Sequence, residues 1–130
     1  MFEIFGPPPP GSPRPFSEAT RAGGMVFVSG HSAPHDPANG ILRGATPAEE
    51  VRNALAKVAA ILAAAGSSLD RVVQMTMLIT DPADYTALNA EYVKHFPNGL
   101  PARHTARFGV PTEARVAFAC IALAGETTHA

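Results

Sequence analysis

Arg115-Val116-Ala117-Phe118-Ala119-Cys120-Ile121-Ala122-Leu123-Ala124 carries two apolar sets, Val116, Phe118, Cys120 and Ala122 at one parity and Ala117, Ala119, Ile121 and Leu123 at the other. Successive side chains of a strand point to opposite faces, and a face that meets water is polar at alternate positions. The run is therefore read as a strand covered on both sides. Just before it, Pro101-Ala102-Arg103-His104-Thr105-Ala106-Arg107-Phe108-Gly109-Val110 reads as a second strand leaving a proline-led turn, with Arg103 at its start as a fixed cation able to face a pocket.

Working back along the chain, Thr46-Pro47-Ala48-Glu49 combines an N-cap hydroxyl, proline at the first helical position and glutamate at N3, which is a capping box. Val51, Leu55, Val58 and Leu62 recur at three- and four-residue steps, and Gly66 offers a left-handed stop, so a helix is predicted over about Pro47 to Ala65. Val72 to Ile79 is apolar on both faces and reads as a central strand. Asp81-Pro82 repeats the cap signature, and Tyr85, Leu88, Tyr92 and Phe96 form the stripe of a second helix from about Pro82 to His95.

The N-terminal part adds an edge strand at Phe2 to Phe5 and a hairpin. The hairpin joins Pro15–Ala19 to a strand at Met25–Gly30, across a turn at Arg21-Ala22-Gly23-Gly24. Residues 7–13, Pro7-Pro8-Pro9-Pro10-Gly11-Ser12-Pro13, lack nearly all backbone donors and read as a stiff polyproline II connector. From His31 to Gly40 the residues favour a loop, returning into a short strand at Ile41-Leu42.

Residues 1–130 thus read as one α+β domain, a mixed sheet with two helices packed on one face. The helices cover one face only, and charged residues are 16% of the chain against 46% hydrophobic, so the second face is expected to be buried by other subunits. A net charge of −1 with scattered Lys and Arg carries no footprint for nucleic acid or anionic membrane. The lone Cys120 excludes an intrachain disulfide and a Cys-rich metal site, and the histidines lack zinc-site spacing. No basic leader or long apolar segment is found, so a cytoplasmic location is the expectation.

Five motifs occur in order: Pro15-Phe16-Ser17-Glu18-Ala19, Val26-Phe27-Val28-Ser29-Gly30-His31, Ala65-Gly66-Ser67-Ser68-Leu69-Asp70-Arg71-Val72-Val73, Asn89-Ala90-Glu91-Tyr92 and Pro101-Ala102-Arg103. Over about residues 13 to 124 the chain resembles the RidA/YjgF family, formerly labelled endoribonuclease L-PSP. The resemblance implies a chorismate-mutase-like fold, a homotrimer with clefts between subunits, and hydrolysis of reactive enamines or imines to 2-keto acids and ammonia. It implies no metal and no organic cofactor.

By that resemblance Arg103 pairs with the carboxylate of a small-molecule substrate, a role suited to a planar guanidinium that is always charged; a structural salt bridge is the alternative. Ala119 stands where the family often has a water-positioning glutamate, and Phe16 where many members have tyrosine. His31 is therefore considered as a proton relay, with His104 as a weaker candidate expected to point away from the face of Arg103. Ser29 and Thr105 offer hydroxyls, and the backbone around Gly30, His31 and Cys120 offers sites for water. Glu18 and Asn89 match motif positions and are read as structural. The missing acid leaves a second reading open: a trimeric protein that binds small carboxylates without turning them over.

Overall fold

The computed structural model describes residues 1–33 and 46–125. The expected turns from Pro34 to Gly40 and the short strand at Ile41-Leu42 lie outside the described residues. The elements are β1 (Glu3–Phe5), β2 (Ala19–Ala22), β3 (Met25–His31), α1 (Pro47–Ala64), β4 (Val72–Ile79), α2 (Tyr85–Tyr92), β5 (Ala102–Arg107) and β6 (Val116–Leu123). They form one six-stranded sheet in the order β1-β2-β3-β6-β4-β5, mixed because β4 and β5 run parallel while the other pairs are antiparallel.

The capping box forms as the residues predict. Thr46 Oγ1 accepts from the Glu49 backbone N–H at 3.2 Å, and the Glu49 carboxylate accepts from the Thr46 N–H at 3.4 Å. Gly66, at φ 84°, takes the left-handed turn after α1. The second helix is composite: 3₁₀ turns at Pro82–Asp84 and Val93–His95 flank α2, and the Asp81 carboxylate accepts from the Ala83 N–H at 2.9 Å.

The first hairpin differs from its expectation. Its leading strand is Ala19–Ala22 rather than Pro15–Ala19, because Arg21 and Ala22 pair with Val26 and Met25, leaving Gly23 and Gly24 as the whole turn. Both have positive φ, 58° and 76°, the conformation that a tight two-residue hairpin requires. The proline run is neither helix nor strand, but it closes a turn in which the Ser12 N–H donates to the Pro9 carbonyl at 2.9 Å.

One face of the sheet is the core. Phe118, Leu55, Leu62, Met75, Met77 and Leu88 are fully buried between the sheet and the helices. Each such side chain contributes about 1.5–3 kcal/mol relative to exposure. The strand register joins Phe5, Ala19, Val28, Cys120, Met75 and Arg103 in one row across all six strands on this helix side. The neighbouring row on the open side is Ile4, Thr20, Phe27, Ile121 and Gln74. Ile4, Phe27 and Leu123 remain 53%, 40% and 46% exposed there, an apolar surface of the kind that meets a partner. Among the described residues no helix is long and apolar enough to cross a membrane.

A cleft around Arg103 at the sheet edge

Arg103 sits on the edge strand β5 opposite Met75 of β4, and therefore points to the helix side, where α2 runs beside it. Its guanidinium lies over the Tyr92 ring at 4.7 Å and the Tyr85 ring at 5.8 Å. Arg103 Nη2 donates to the Tyr85 hydroxyl at 3.1 Å. Tyr92 is buried and packs against Phe118 and Phe96, with ring centroids 5.7 and 4.8 Å apart. The cation therefore rests on an aromatic base anchored in the core, which limits its motion and adds about 0.5–2 kcal/mol of cation–π attraction.

Around it is a cleft of about 340 Å³ lined by Asn89, Tyr92, Val93, Leu100, Pro101 and Arg103. Two polar atoms there, Asn89 Oδ1 and the Tyr92 hydroxyl, are buried without a hydrogen-bond partner among the described residues. Nor does any described carboxylate lie within ion-pair distance of Arg103. A fixed cation and two unsatisfied buried polar atoms in one cleft are suited to a small anion that also offers hydrogen-bonding groups, because orphaned buried groups are costly.

The hydroxyls around Arg103 differ in environment. Burial pushes the Tyr92 hydroxyl above the usual tyrosine value, with Arg103 opposing. The Asn89 amide holds Tyr85 below that value, helped by the charge and hydrogen bond of Arg103 and by Thr105. Of the residues singled out in the sequence, Thr105 thus joins Arg103 here. Asn89 was read there as structural, and Tyr85 and Tyr92 only as apolar stripe. The signal was present, since positions 85, 89 and 92 share one helical face and bring two hydroxyls and an amide to a stripe that packing alone would fill with hydrocarbon.

The remaining predicted residues lie elsewhere in the chain. Phe16, Ser29 and Gly30 line a separate groove of about 600 Å³ on the open side, with Phe108, Val110 and Ala117. Ser29 Oγ donates to the Ser17 carbonyl at 2.7 Å. Ala119, also on the open side, is register-paired with Thr76 and borders a depression of about 180 Å³ with Gln74 and Thr76. His104 points to that side, as strand alternation predicts, 3.2 Å from Thr76 Oγ1.

Two predicted residues have core positions. His31 is 5% exposed, and its Nε2 shares a 3.2 Å hydrogen bond with the Glu18 carbonyl. Desolvation lowers its pKa, favouring the neutral ring. It is three strand positions from β5, roughly 14 Å at the usual spacing. Within one chain His31 is thus a hydrogen-bonded core histidine, and a β-bulge between Val28 and His31 separates it from the Ser29–Gly30 side. The Cys120 thiol is buried in the core with its pKa pushed up to about 12 by desolvation, which makes it inert packing. Among the described residues no three His, Cys, Asp or Glu side chains gather as a metal site.

The family model described as Endoribonuclease L-PSP matches residues 9–123. A human protein named 2-iminobutanoate/2-iminopropanoate deaminase is 32% identical over 122 residues, 93% of this chain and 88% of that protein. Among solved structures, a YjgF-family protein of Neisseria meningitidis superposes with a TM-score of 0.80 at 26% identity, covering 98% of both chains. TdcF of E. coli with bound serine superposes with a TM-score of 0.75 at 29% identity, covering 93% of this chain and 98% of that one.

Proposed function

We propose that this chain, which belongs to the RidA/YjgF family of the endoribonuclease L-PSP model, hydrolyses small enamine or imine carboxylates to 2-keto acids and ammonia, with Arg103 holding the carboxylate. The observation that carries this reading is the guanidinium in its cleft, without a described carboxylate partner and beside two orphaned polar atoms. The activity named for the human relative and the serine bound to TdcF support it, since an imino acid and an amino acid share the carboxylate next to a carbon that bears nitrogen. Arg103 gives that carboxylate two parallel donors, worth about 1.5–3 kcal/mol net. It thereby fixes where the C=N carbon sits for attack by water.

In this reading the cleft is completed by a second copy of the chain. Arg103 projects from an edge strand, whereas Phe16, Ser29, Gly30 and Ala119 lie on the apolar open side, so one chain supplies only half of the set. A homotrimer that buries the open side brings the Arg103 half of one chain to the open-side half of the next. The mass in solution is then that of a trimer of 13.5 kDa chains, and a protein that stays monomeric at micromolar concentration contradicts this assembly.

A second reading is favoured by one observation: among the described residues no acidic side chain lines the Arg103 cleft, the depression beside Ala119 or the groove beside Phe16. The same cleft would then hold 2-keto acids without turnover. Ammonia release from freshly generated 2-iminobutanoate separates the two. Hydrolysis predicts release faster than the spontaneous rate, and binding alone predicts the spontaneous rate.

A further inference from the structure

Hydrolysis of an imine requires a proton delivered to nitrogen and another removed from the attacking water. The described residues lining the Arg103 cleft include no carboxylate, imidazole or thiol; their one phenol is Tyr92, and a second, Tyr85, reaches Arg103 from beside that lining. Tyr92 is 2% exposed, and burial favours its protonated form, so it serves as a fixed donor. Tyr85 is different. It stands at the start of α2, 41% exposed, with its hydroxyl 3.1 Å from Arg103 Nη2.

We propose that the Tyr85 hydroxyl is the proton-transfer group of this cleft, shuttling a proton between the attacking water and the substrate nitrogen. This assignment rests on the hydrolytic reading above. A carboxylate bonded to the guanidinium lies about 2.7–2.9 Å from its nitrogens. The adjacent C=N group then falls within reach of a hydroxyl bonded to the same guanidinium. In the first half, the phenol gives its proton to the imine nitrogen as the water oxygen bonds to carbon. The phenolate, stabilised by Arg103 and Asn89, takes one proton from that oxygen and leaves a neutral carbinolamine. In the second half, the phenol protonates the amino group and the C–N bond breaks with its electron pair leaving as ammonia. The hydroxyl proton then returns to the phenolate as the C=O bond forms.

The electrostatic surroundings suit this cycle. Asn89 first, then the charge of Arg103 facing Tyr85 from β5, and to a smaller extent Thr105 hold the phenol below the ordinary tyrosine value. Asp84, the preceding residue, is turned towards Arg115, with Oδ2 3.7 Å from Arg115 Nε. A phenol whose two forms lie closer in energy near neutral pH exchanges protons more readily.

The test is Tyr85→Phe, which keeps the ring under Arg103 and removes only the hydroxyl of a half-exposed side chain. Ammonia release from 2-iminobutanoate is followed against pH, and 2-oxobutanoate binding is measured in parallel. The expected result is a kcat about 100-fold lower, with KM changed by no more than about threefold and keto-acid binding retained. The wild-type rate declines on the alkaline side below the ordinary tyrosine pKa of about 10, and the variant's residual rate lacks that decline. A variant with unchanged kcat and the same alkaline decline overturns the assignment while leaving the hydrolytic reading intact. So does a variant in which only KM rises, because Tyr85 then merely positions Arg103. Wild-type protein that releases ammonia at the spontaneous rate overturns both.

Discussion

Arg103→Ala is expected to weaken 2-oxobutanoate binding by about 10- to 100-fold, the loss of one charge-assisted carboxylate contact of about 1.5–3 kcal/mol. The fold should survive, because Arg103 has no described ion pair and lies on an edge strand, contributing mainly its contacts with Tyr92 and Tyr85. Arg103→Lys should fall between the two, keeping the charge but losing the planar fork and the stacking. Calorimetric titration of the keto acid into each variant, with thermal unfolding as a control, measures both effects. An alanine variant that binds with wild-type affinity removes Arg103 from the site.

Glu50→Ala is expected to destabilise the protein by about 3 kcal/mol, the lower end of the range for breaking a buried ion pair because Arg115 keeps partial solvent access. The Glu50 side chain is 3% exposed on α1, and its two oxygens accept from the Arg115 backbone N–H and from Arg115 Nη1, each at 2.8 Å. One carboxylate thus fixes the entry into β6 against the first turn of α1. Its removal takes one acceptor from the Arg115 N–H and one charge partner from the guanidinium. For a chain of this size the loss corresponds to a drop in Tm of roughly 10 °C. Glu50→Gln, which keeps an acceptor for the N–H, should lose less. A Tm unchanged in Glu50→Ala shows that water replaces the carboxylate at no cost.

Local features of the fold were legible because each has a local cause. The Thr46–Glu49 box, the stop at Gly66 and the Asp81 cap are short-range hydrogen bonds or backbone preferences, and each takes its expected form. Strand parity was equally legible, so the opposite directions of Arg103 and His104 follow from adjacency alone. Pairing between strands was not. Whether Arg103 shares a face with Ala119 depends on the register of β5 against β4 and of β4 against β6, which non-local packing sets. The bulge between Val28 and His31 likewise has no local signature, and it is what places His31 in the core while Ser29 and Gly30 line the open-side groove.

The same distinction explains the site. Arg103 was visible as a residue, but its surroundings required the fold: Tyr85, Asn89 and Tyr92 meet it only because α2 lies along the edge of β5. The strand Val116–Leu123 also has two roles set by its faces. Phe118 and Cys120 hold the helix layer, while Ala119 borders an open-side depression lined by no acid among the described residues.

The most direct measurement is the initial rate of ammonia release from freshly generated 2-iminobutanoate, with wild-type protein and Arg103→Ala compared side by side. Release well above the spontaneous rate for the wild type, falling to the spontaneous rate for the variant, is the predicted result. Equal rates for the two proteins, whether fast or spontaneous, contradict hydrolysis of a carboxylate held by Arg103.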